Sequence, residues 1–429
     1  MAHYDLAIIG GGASGMAAAI TAAEQSLANG LNLRISIYEK QERVGKKLLA
    51  TGNGCCNLAN STLALEQYHG KDAAFAAPAL SRHDLQDTLR FFHRLGLLTR
   101  EEENGRLYPY SRQAAAVLDS LRFQAKALGV NTACGHSITQ IQAAGNGFTL
   151  LGEAQGKAAR FFAHKVILAT GGQAAPKLGG GAQAYAPALA LGHKTTPLFP
   201  ALVQIKTENT FTKPLKGIKV EAKASLWQKN TLLVQDAGEV LFTEYGVSGP
   251  PIFTLSRTVS AHFAQKNSQP LLLALDCMPE YVQEILQKML TERAELLPAL
   301  TLENFLTGML NKRLGQTLLK AAELLPLTRP AQSLQAKEIA KLSHSLKCFM
   351  LPVLGTLPWA NAQVTAGGLA TGHFCRDTLE SKLAAGFYAC GEVLDIDGDC
   401  GGYNLQWAWS SGRLAAESAV KSLLPPDFK

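Results

Sequence analysis

The feature that most constrains the fold of this chain is a glycine-rich segment at residues 10–15, between an apolar run and a run of small residues. The apolar run at 6–9 predicts a buried β-strand, and the small residues at 16–23 predict a helix that packs closely on it. Strand, Gly-x-Gly-x-x-Gly and helix, in that order, are typical of a dinucleotide-binding βαβ unit. The segment therefore predicts a Rossmann-like α/β fold.

The next strand pattern, at residues 34–38, ends at Glu39. An acid about 20 residues past the glycines is expected to bind ribose hydroxyls. The helix N-terminus would supply unpaired N–H groups and partial positive charge to the phosphates. The cofactor ligands predicted from this region are Gly10, Gly12, Ala13, Ser14, Gly15, Glu39 and Lys40.

Length and composition limit the class of protein. A chain of 429 residues is expected to form about two or three domains. Its 47% hydrophobic and 17% charged residues are ordinary for a globular protein. No apolar run approaches the ~18 residues of a membrane span, and the first strand begins too early for a cleavable signal segment. The sequence therefore predicts a cytoplasmic protein without membrane contact.

The eight cysteines are scattered, without the spacing of a disulfide framework or a zinc site. Most are expected to be small buried apolar residues, and no metal site is predicted. Cys55 and Cys56 are adjacent in a glycine-rich loop. A redox role for this pair and simple proximity both remain open.

The net charge of +7 is unevenly distributed. Six lysines lie at 206–229 against two acids, and seven Lys or Arg residues lie at 312–347 against two acids. Such stretches form either a surface that attracts a polyanion or ordinary solvated faces. The sequence leaves both interpretations open.

A second glycine-rich segment lies near the other end of the chain, at residues 391–406. Residues 385–392 are typical of a strand that ends in Gly391 and Glu392 and presents a carboxylate to the ribityl chain of a flavin. Residues 395–402 then turn into a helix that begins near Tyr403 and is predicted to continue to Ala415. Its N-terminus could stabilise negative charge on a reduced flavin. Together the two segments predict tightly held FAD.

The chain between these segments changes character. Short alternating segments from 195 predict an antiparallel sheet or barrel, and 279–346 has helical periodicity. The glycines at 179–181 lack the rest of a second fingerprint, so NAD(P)H is expected only as a transient donor. The predicted domains are an FAD-binding domain at 1–194 and 363–429, a β-barrel domain at 195–278 and 347–362, and a nested helical domain at 279–346.

Two loops beside the first βαβ unit, at 44–57 and 170–172, supply further candidates. The cofactor ligands predicted from these loops and from the closing segment are Gly45, Lys46, Lys47, Thr51, Gly52, Gly54, Cys56, Asn57, Thr170, Gly171, Gly172, Gly391, Glu392, Gly402, Tyr403, Asn404 and Leu405. The predicted catalytic residues are Tyr403, Asn404, Tyr110, Arg106 and Cys56. Helix capping, loop packing and a buried thiol are the alternatives left open for them.

The motifs resemble the bacterial aminoacetone-oxidase/BaiN-type family of FAD-dependent flavoproteins, the YhiN-like group. The similarity covers nearly the whole chain and is carried by residues 45–57, 241–250, 364–368 and 391–408. It implies an FAD domain in two sequence pieces with an inserted β-barrel and a nested helical domain. It also implies reduction of a conjugated C=C bond, in a bile-acid intermediate or a ribosomal RNA uridine. Cys55 and Glu244 depart from the family pattern, which usually has Arg and His there.

Three functions follow as hypotheses. The first is an FAD-dependent reductase that converts a uridine of ribosomal RNA to dihydrouridine by hydride transfer from flavin N5. The second is a reductase or oxidase of a small apolar or amine metabolite. The third is a flavin-bearing RNA-binding or assembly factor without turnover. The substrate, the electron donor, the general acid and the oligomeric state remain open.

Overall fold

The computed structural model of the protein describes residues 3–265 and 269–425. The chain divides into two compact units. The first unit joins the two ends of the sequence, Met1–Phe199 and Gln363–Lys429, and the second is the inserted segment Pro200–Ala362. No helix in the described part of the chain is long and apolar enough to cross a membrane.

The strands and helices are numbered here in chain order. The strands are β1 (His3–Ile9), β2 (Ile35–Glu39), β3 (Ala59–Asn60), β4 (Tyr68–His69), β5 (Thr99–Glu101), β6 (Arg106–Pro109), β7 (Asn131–Cys134), β8 (His136–Ala144), β9 (Gly147–Ala154), β10 (Lys157–Leu168), β11 (Phe199–Ala201), β12 (Ile205–Thr207), β13 (Lys219–Gln228), β14 (Thr231–Phe242), β15 (Gly246–Ser248), β16 (Leu271–Asp276), β17 (Phe349–Thr356), β18 (Val364–Ala366), β19 (Phe387–Ala389) and β20 (Asp397–Gly398). The helices are α1 (Ala13–Ala28), α2 (Ala77–Arg82), α3 (Leu85–Arg94), α4 (Ala114–Ala127), α5 (Ala186–Leu189), α6 (Pro250–Phe263), α7 (Gln283–Leu296), α8 (Leu302–Phe305), α9 (Lys312–Ala321), α10 (Ala336–Lys347) and α11 (Tyr403–Leu423).

The first unit is built on a seven-stranded sheet in the order β7-β2-β1-β10-β9-β8, with β19 also paired to β10. Strands β2, β1, β10 and β19 are parallel, with Tyr38, Ile9, Leu168 and Ala389 in register. Because these strands end together, the loops that follow them meet at one edge of the sheet. That edge is where open α/β sheets bind their ligands.

Strand β10 is 12 residues long and has two kinds of partner. Its first part pairs antiparallel with β9 and its last part pairs parallel with β1. No turn residue separates the two parts, so they form one continuous strand. Strand β8 completes the antiparallel part of the sheet and was not predicted, because few of its side chains are buried.

Helices α1 and α11 bring the two ends of the chain into one core. Both are longer than predicted, since α1 extends to Ala28 and α11 extends past Ala415 to Leu423. They approach closely at Gly412, where a Cβ would lie 2.4 Å from the carbonyl oxygen of Ser14. The fully buried Trp407 and Trp409 pack in the same apolar cluster as β1 and α1.

The second unit is a closed barrel in the strand order β12-β15-β14-β13-β16-β17, accompanied by helices. Its core joins Leu273 and Phe349 of the barrel to Leu286, Leu318 and Leu342 of the helices in one apolar cluster. The predicted fold class is therefore confirmed, with a Rossmann-like α/β unit and an inserted segment that contains a barrel and helices.

Candidate cofactor and active site

The loop between β1 and α1 presents an open backbone. Gly12 precedes the helix, no side chain caps it, and no acid lies in its first turn. A Cβ at Gly12 would meet no atom within 4 Å. Because the first N–H groups of a helix have no acceptor within the helix, they are available to an anion. This loop offers space, donors and partial positive charge to a phosphate.

Glu39, at the end of β2, holds the glycine loop in place. Its Oε2 accepts a hydrogen bond from the Gly11 N–H at 2.8 Å, and its Oε1 accepts one from the Gln41 N–H at 2.8 Å. Each carboxylate oxygen has a further lone pair for a hydroxyl group. The neighbouring Lys40 is exposed. The geometry suits an acid that fixes the loop and also binds a ribose.

The loop at 44–57 is tied to the glycine loop and to the far end of the chain. The Gly45 N–H donates to the Gly11 carbonyl oxygen at 2.8 Å. Lys46 Nζ donates to Gln41 Oε1 at 3.1 Å. Lys47 Nζ forms an ion pair with Glu392 Oε2 at 2.7 Å. The loop at 44–57 therefore connects the two glycine-rich segments, through Gly45 to the first and through Lys47 to the second.

The later part of this loop contains the adjacent cysteines. Thr51 Oγ1 donates to the Leu48 carbonyl, while Gly52 and Gly54 are exposed. Cys56 is fully buried, and burial raises the pKa of its thiol to about 12. Both cysteines are free. A buried neutral thiol is a poor nucleophile, so this environment favours the buried-thiol interpretation of Cys56.

Glu392 also anchors the loop that follows β10. Its Oε1 accepts from the Thr365 N–H at 2.9 Å. Thr365 Oγ1 in turn accepts from the N–H groups of Gln173 at 2.8 Å and Ala174 at 2.9 Å. Gly172 lies against both side chains. Thr365 was not predicted as a site residue, although the small-residue pattern at 363–368 was the available signal.

Thr170 and Gly171 complete this loop. Thr170 Oγ1 donates to the Ala184 carbonyl at 2.8 Å, so it fastens the loop to the turn before α5. A Cβ at Gly171 would meet no atom within 4 Å. The backbone at Gly171 is therefore open, as it is at Gly12.

The N-terminus of α11 is also uncapped by any side chain, with Gly402 before it at a φ of 107°. Tyr403 is buried, and its hydroxyl lies 3.1 Å from Thr62 Oγ1. The Asn404 amide donates to the carbonyls of Gly398 and Asp399 and accepts from the Gly398 N–H at 2.9 Å. Leu405 is half-buried. These polar side chains hold the preceding turn and loop, which favours a structural role for Tyr403 and Asn404, although neither side chain caps the helix.

The other two predicted catalytic residues lie on or just after β6. Arg106 is half-buried and pairs with Asn60 on β3. Asn60 Nδ2 donates to the Gly401 carbonyl at 3.0 Å, which links this strand pair to the second glycine segment. Tyr110, in contrast, is 65% exposed. The structure thus brings the Arg106 backbone toward Tyr403 and leaves Tyr110 at the surface.

Two residues that were not predicted also belong to this region. Tyr108 is half-buried, and a Cβ at Gly52 would lie 3.5 Å from its ring. Tyr185 is 2% exposed, in the turn that Thr170 fastens. Neither lies within a glycine motif, so only the tertiary contacts reveal them.

The region satisfies a test of fit for FAD. At Gly12 and Gly171 an added Cβ would meet no atom within 4 Å, so the backbone of both loops is accessible to a ligand. The open backbone at Gly12 and the two uncapped helix N-termini suit a dinucleotide. In the described part of the chain, no cluster of His, Cys, Asp and Glu side chains could hold a metal ion.

In the second unit, part of the basic charge is neutralised by neighbouring acids. Glu244 pairs with Lys216 at 2.7 Å, and this contact lowers the pKa of the carboxyl. The residues of the two basic stretches that form ion pairs are Lys216, Lys219, Arg329, Lys341 and Lys347. Three acids outside the two stretches, Glu239, Glu244 and Asp276, therefore neutralise part of their positive charge locally.

Comparisons with known proteins cover nearly the whole chain. Residues 4–418 match the family described as "HI0933-like protein Rossmann domain". The chain is 38% identical to the 3-dehydro-bile acid delta(4,6)-reductase of Clostridium scindens, over 97% of this chain and 99% of that protein. It is 26% identical to the ribosomal RNA dihydrouridine synthase of Escherichia coli, over 98% of this chain and 99% of that protein.

Among solved structures, the open conformation of a flavocytochrome c3 fumarate reductase is similar, with a TM-score of 0.47 and 17% identity. The match covers 99% of this chain and 79% of that one.

Proposed function

The chain belongs to the HI0933-like Rossmann-domain family and is an FAD-dependent oxidoreductase, and on this premise we propose that it reduces a C=C bond conjugated to a carbonyl group. The observation that carries the proposal is the 38% identity, over 97% of this chain, to a reductase named for the bonds it acts on. The resemblance to this family that the motifs indicated is confirmed.

The names of the relatives share one kind of chemistry. A delta(4,6)-reductase of a 3-dehydro compound and a dihydrouridine synthase both act on a double bond polarised by a nearby carbonyl. Such a bond accepts hydride at its β-carbon and a proton at its α-carbon. The proposal therefore rests on the carbonyl-conjugated C=C bond that these substrates share. It does not depend on which of them is the substrate.

The residues of the first unit suit this chemistry. Bound FAD would supply the hydride. Gly12 and the α1 N-terminus would hold phosphate, and Glu39 would hold ribose. The uncapped N-terminus of α11, before Tyr403, would stabilise negative charge through its N–H groups. The Lys47–Glu392 ion pair would hold the loop at 44–57 against the second glycine-rich segment beside the cofactor.

For the substrate, we favour a small apolar ketone. The relative that acts on a bile acid is 38% identical to this chain, whereas the two ribosomal RNA enzymes are 26% and 25% identical. The ion pairs of the basic stretches also reduce the charge available to RNA. A uridine of ribosomal RNA is the second candidate, because two relatives that span the chain carry that name. NAD(P)H is the proposed electron donor.

The direct test is reoxidation of the reduced holoenzyme. Chemically reduced protein is mixed without oxygen with a steroid 4,6-dien-3-one, and flavin absorbance is followed by stopped flow. Reoxidation at about 1 s⁻¹ or faster is expected, within the usual range of turnover, together with a product that has gained two hydrogens. The saturated 3-ketone is the matched control and should leave the flavin reduced. Failure of the dienone to reoxidise the flavin would contradict the small-ketone proposal.

Two further measurements separate the remaining alternatives. Loss of a dihydrouridine from ribosomal RNA in a deletion strain, measured by mass spectrometry, would identify ribosomal RNA as the substrate. Unchanged dihydrouridine would remove that candidate. Bleaching of the oxidised holoenzyme by NADH or NADPH, compared at equal concentration, identifies the donor.

A further inference from the structure

Strand β6 places Tyr108 against the loop at 44–57. The N–H of Leu58, just after this loop, donates to the Leu107 carbonyl at 2.7 Å. A Cβ at Gly52 would lie 3.5 Å from a carbon atom of the Tyr108 ring. Gly52 is exposed and Tyr108 is half-buried, so the ring borders the loop at a place that solvent reaches.

The same part of the loop reaches the N-terminus of α11. A Cβ at Gly52 would lie 3.0 Å from the backbone nitrogen of Asn57, and a Cβ at Gly402 would lie 2.9 Å from Asn57 Oδ1. Gly402 precedes the helix end whose N–H groups suit negative charge on a reduced flavin. Gly52 and Asn57 therefore connect Tyr108 to the end of the cofactor site where the chemistry is expected.

Two arginines flank the Tyr108 ring. The Arg112 guanidinium lies 5.0 Å from the ring centroid and is held by Glu102, to whose carboxylate oxygens it donates at 2.8 and 2.7 Å. Arg106, two residues earlier on β6, lies on the same face of the strand and interacts electrostatically with the phenol. Burial outweighs both positive charges and raises the pKa of Tyr108, so the phenol is protonated at neutral pH. The arginines would stabilise the phenolate that remains after a proton is given away.

The other candidate acids of the region are less suited to proton transfer. Cys56 is fully buried, and the buried hydroxyl of Tyr403 lies 3.1 Å from Thr62 Oγ1. Tyr110 is 65% exposed. Tyr108 combines an accessible O–H group with two neighbouring cations beside the loop at 44–57.

We propose that Tyr108 is the general acid of the reduction and protonates the α-carbon of the conjugated substrate. The inference rests on the proposed function. As the hydride of the reduced flavin forms a C–H bond at the β-carbon, the phenolic O–H bond breaks and its proton forms a C–H bond at the α-carbon. The C=C bond becomes a single bond, the flavin is oxidised, and the phenolate then regains a proton from water.

The experiment follows the reoxidation of chemically reduced holoenzyme by a steroid 4,6-dien-3-one, by stopped flow and without oxygen. Tyr108→Phe keeps the ring that contacts Gly52 and Arg112 but removes the acidic proton, so its rate should fall about 100-fold or more. Tyr4, also half-buried, lies at the start of β1, at the opposite edge of the sheet. Tyr4→Phe is the matched control and should stay within about 2-fold of the wild-type rate.

Two further readouts separate proton donation from a structural role. Ferricyanide takes electrons from the reduced flavin without delivery of a proton to carbon, so it should reoxidise Tyr108→Phe at the wild-type rate. With the dienone, the wild-type rate should be highest while the phenol is protonated and should fall as pH rises through the raised pKa of Tyr108. Tyr108→Phe should lack this fall.

Four outcomes would overturn the proposal. Reoxidation of Tyr108→Phe by the dienone at the wild-type rate would show that another group supplies the proton. Equal slowing with the dienone and ferricyanide would assign Tyr108 to the integrity of the flavin site. A large loss in Tyr110→Phe, with none in Tyr108→Phe, would make Tyr110 the acid. If the dienone failed to reoxidise the wild type, the proposed function would fall, and the inference with it.

Discussion

Gly12 and Gly402 each precede a helix in one of the two glycine-rich segments, but they serve different physical purposes. At Gly12 a Cβ would meet nothing within 4 Å, so the missing side chain leaves space for a ligand. At Gly402 a Cβ would lie 2.5 Å from the Ala59 carbonyl oxygen, and φ is 107°. There glycine permits a strained backbone and a close packing contact.

The difference separates binding from folding within one site. Both residues precede an uncapped helix N-terminus, but Gly12 has open space where a Cβ would lie, whereas Gly402 packs against the Ala59 carbonyl. A substitution at Gly12 should weaken the cofactor complex, and one at Gly402 should weaken the protein. A glycine motif thus predicts a tight turn, and only the surrounding contacts reveal which purpose it serves.

The largest expected effect is that of Gly402→Ala on the stability of the apo-protein. Strain at positive φ and a clash with backbone together should lower the free energy of unfolding by about 3 kcal/mol or more. Urea denaturation measures this loss. Gly54→Ala is the control, since Gly54 has a φ of 84° but open space around it, and it should cost only the strain. Equal losses in the two variants would show that packing at Gly402 is unimportant.

Gly12→Ala should show the opposite pattern. A methyl group in the space for the ligand should weaken FAD binding on the order of 10- to 100-fold, or about 1.4–2.8 kcal/mol. The apo-protein should unfold at the wild-type urea concentration or slightly above it, because φ at Gly12 is −79° and suits alanine. The Kd for FAD tests the predicted loss of affinity, and the urea midpoint of the apo-protein tests the predicted stability. Wild-type affinity would remove this loop from the cofactor site.

The Asn404→Asp variant tests whether the second glycine-rich segment also takes part in reduction of the substrate. Aspartate keeps the acceptor for the Gly398 N–H but loses the donors to the carbonyls of Gly398 and Asp399. The structure predicts a loss of stability of about 1–2 kcal/mol, seen in urea denaturation. A variant of wild-type stability whose reduced flavin was reoxidised much more slowly by the dienone would instead make Asn404 catalytic.

The smallest effect concerns the ion pair that joins the loop at 44–57 to the second glycine-rich segment. Lys47 and Glu392 form a partly exposed ion pair, with side chains 29% and 21% exposed. A double-mutant cycle with Lys47→Met and Glu392→Gln should give a coupling energy of about 1 kcal/mol in the apo-protein. Additive losses would mean that the segments are held together by other contacts, such as those of Thr365.

Local patterns predicted much of this architecture. The glycine loop, the small-residue helix and the acid at Glu39 are close in sequence, and their order alone indicated the βαβ unit. The alternation at 219–226 predicted strand β13, within a segment interpreted as a sheet or barrel. These features depend on contacts within about 30 residues, which periodicity and turn residues record.

Contacts between distant residues could not be predicted in the same way. Nothing near Lys47 indicates that it pairs with Glu392, and nothing near Thr365 indicates that it binds the loop at 173–174. The Asn404 amide was a candidate for catalysis because its position was known but its partners were not.

Hydrogen–deuterium exchange of the apo-protein and the FAD-loaded protein tests the central claim most directly, since it reads the backbone N–H groups of both segments in one experiment. Bound FAD should slow exchange in peptides that cover residues 10–16 and 402–406. Peptides from strand β8, at the outer edge of the same sheet, should be unchanged and serve as the internal control. FAD that bound without protecting residues 10–16 would contradict the account.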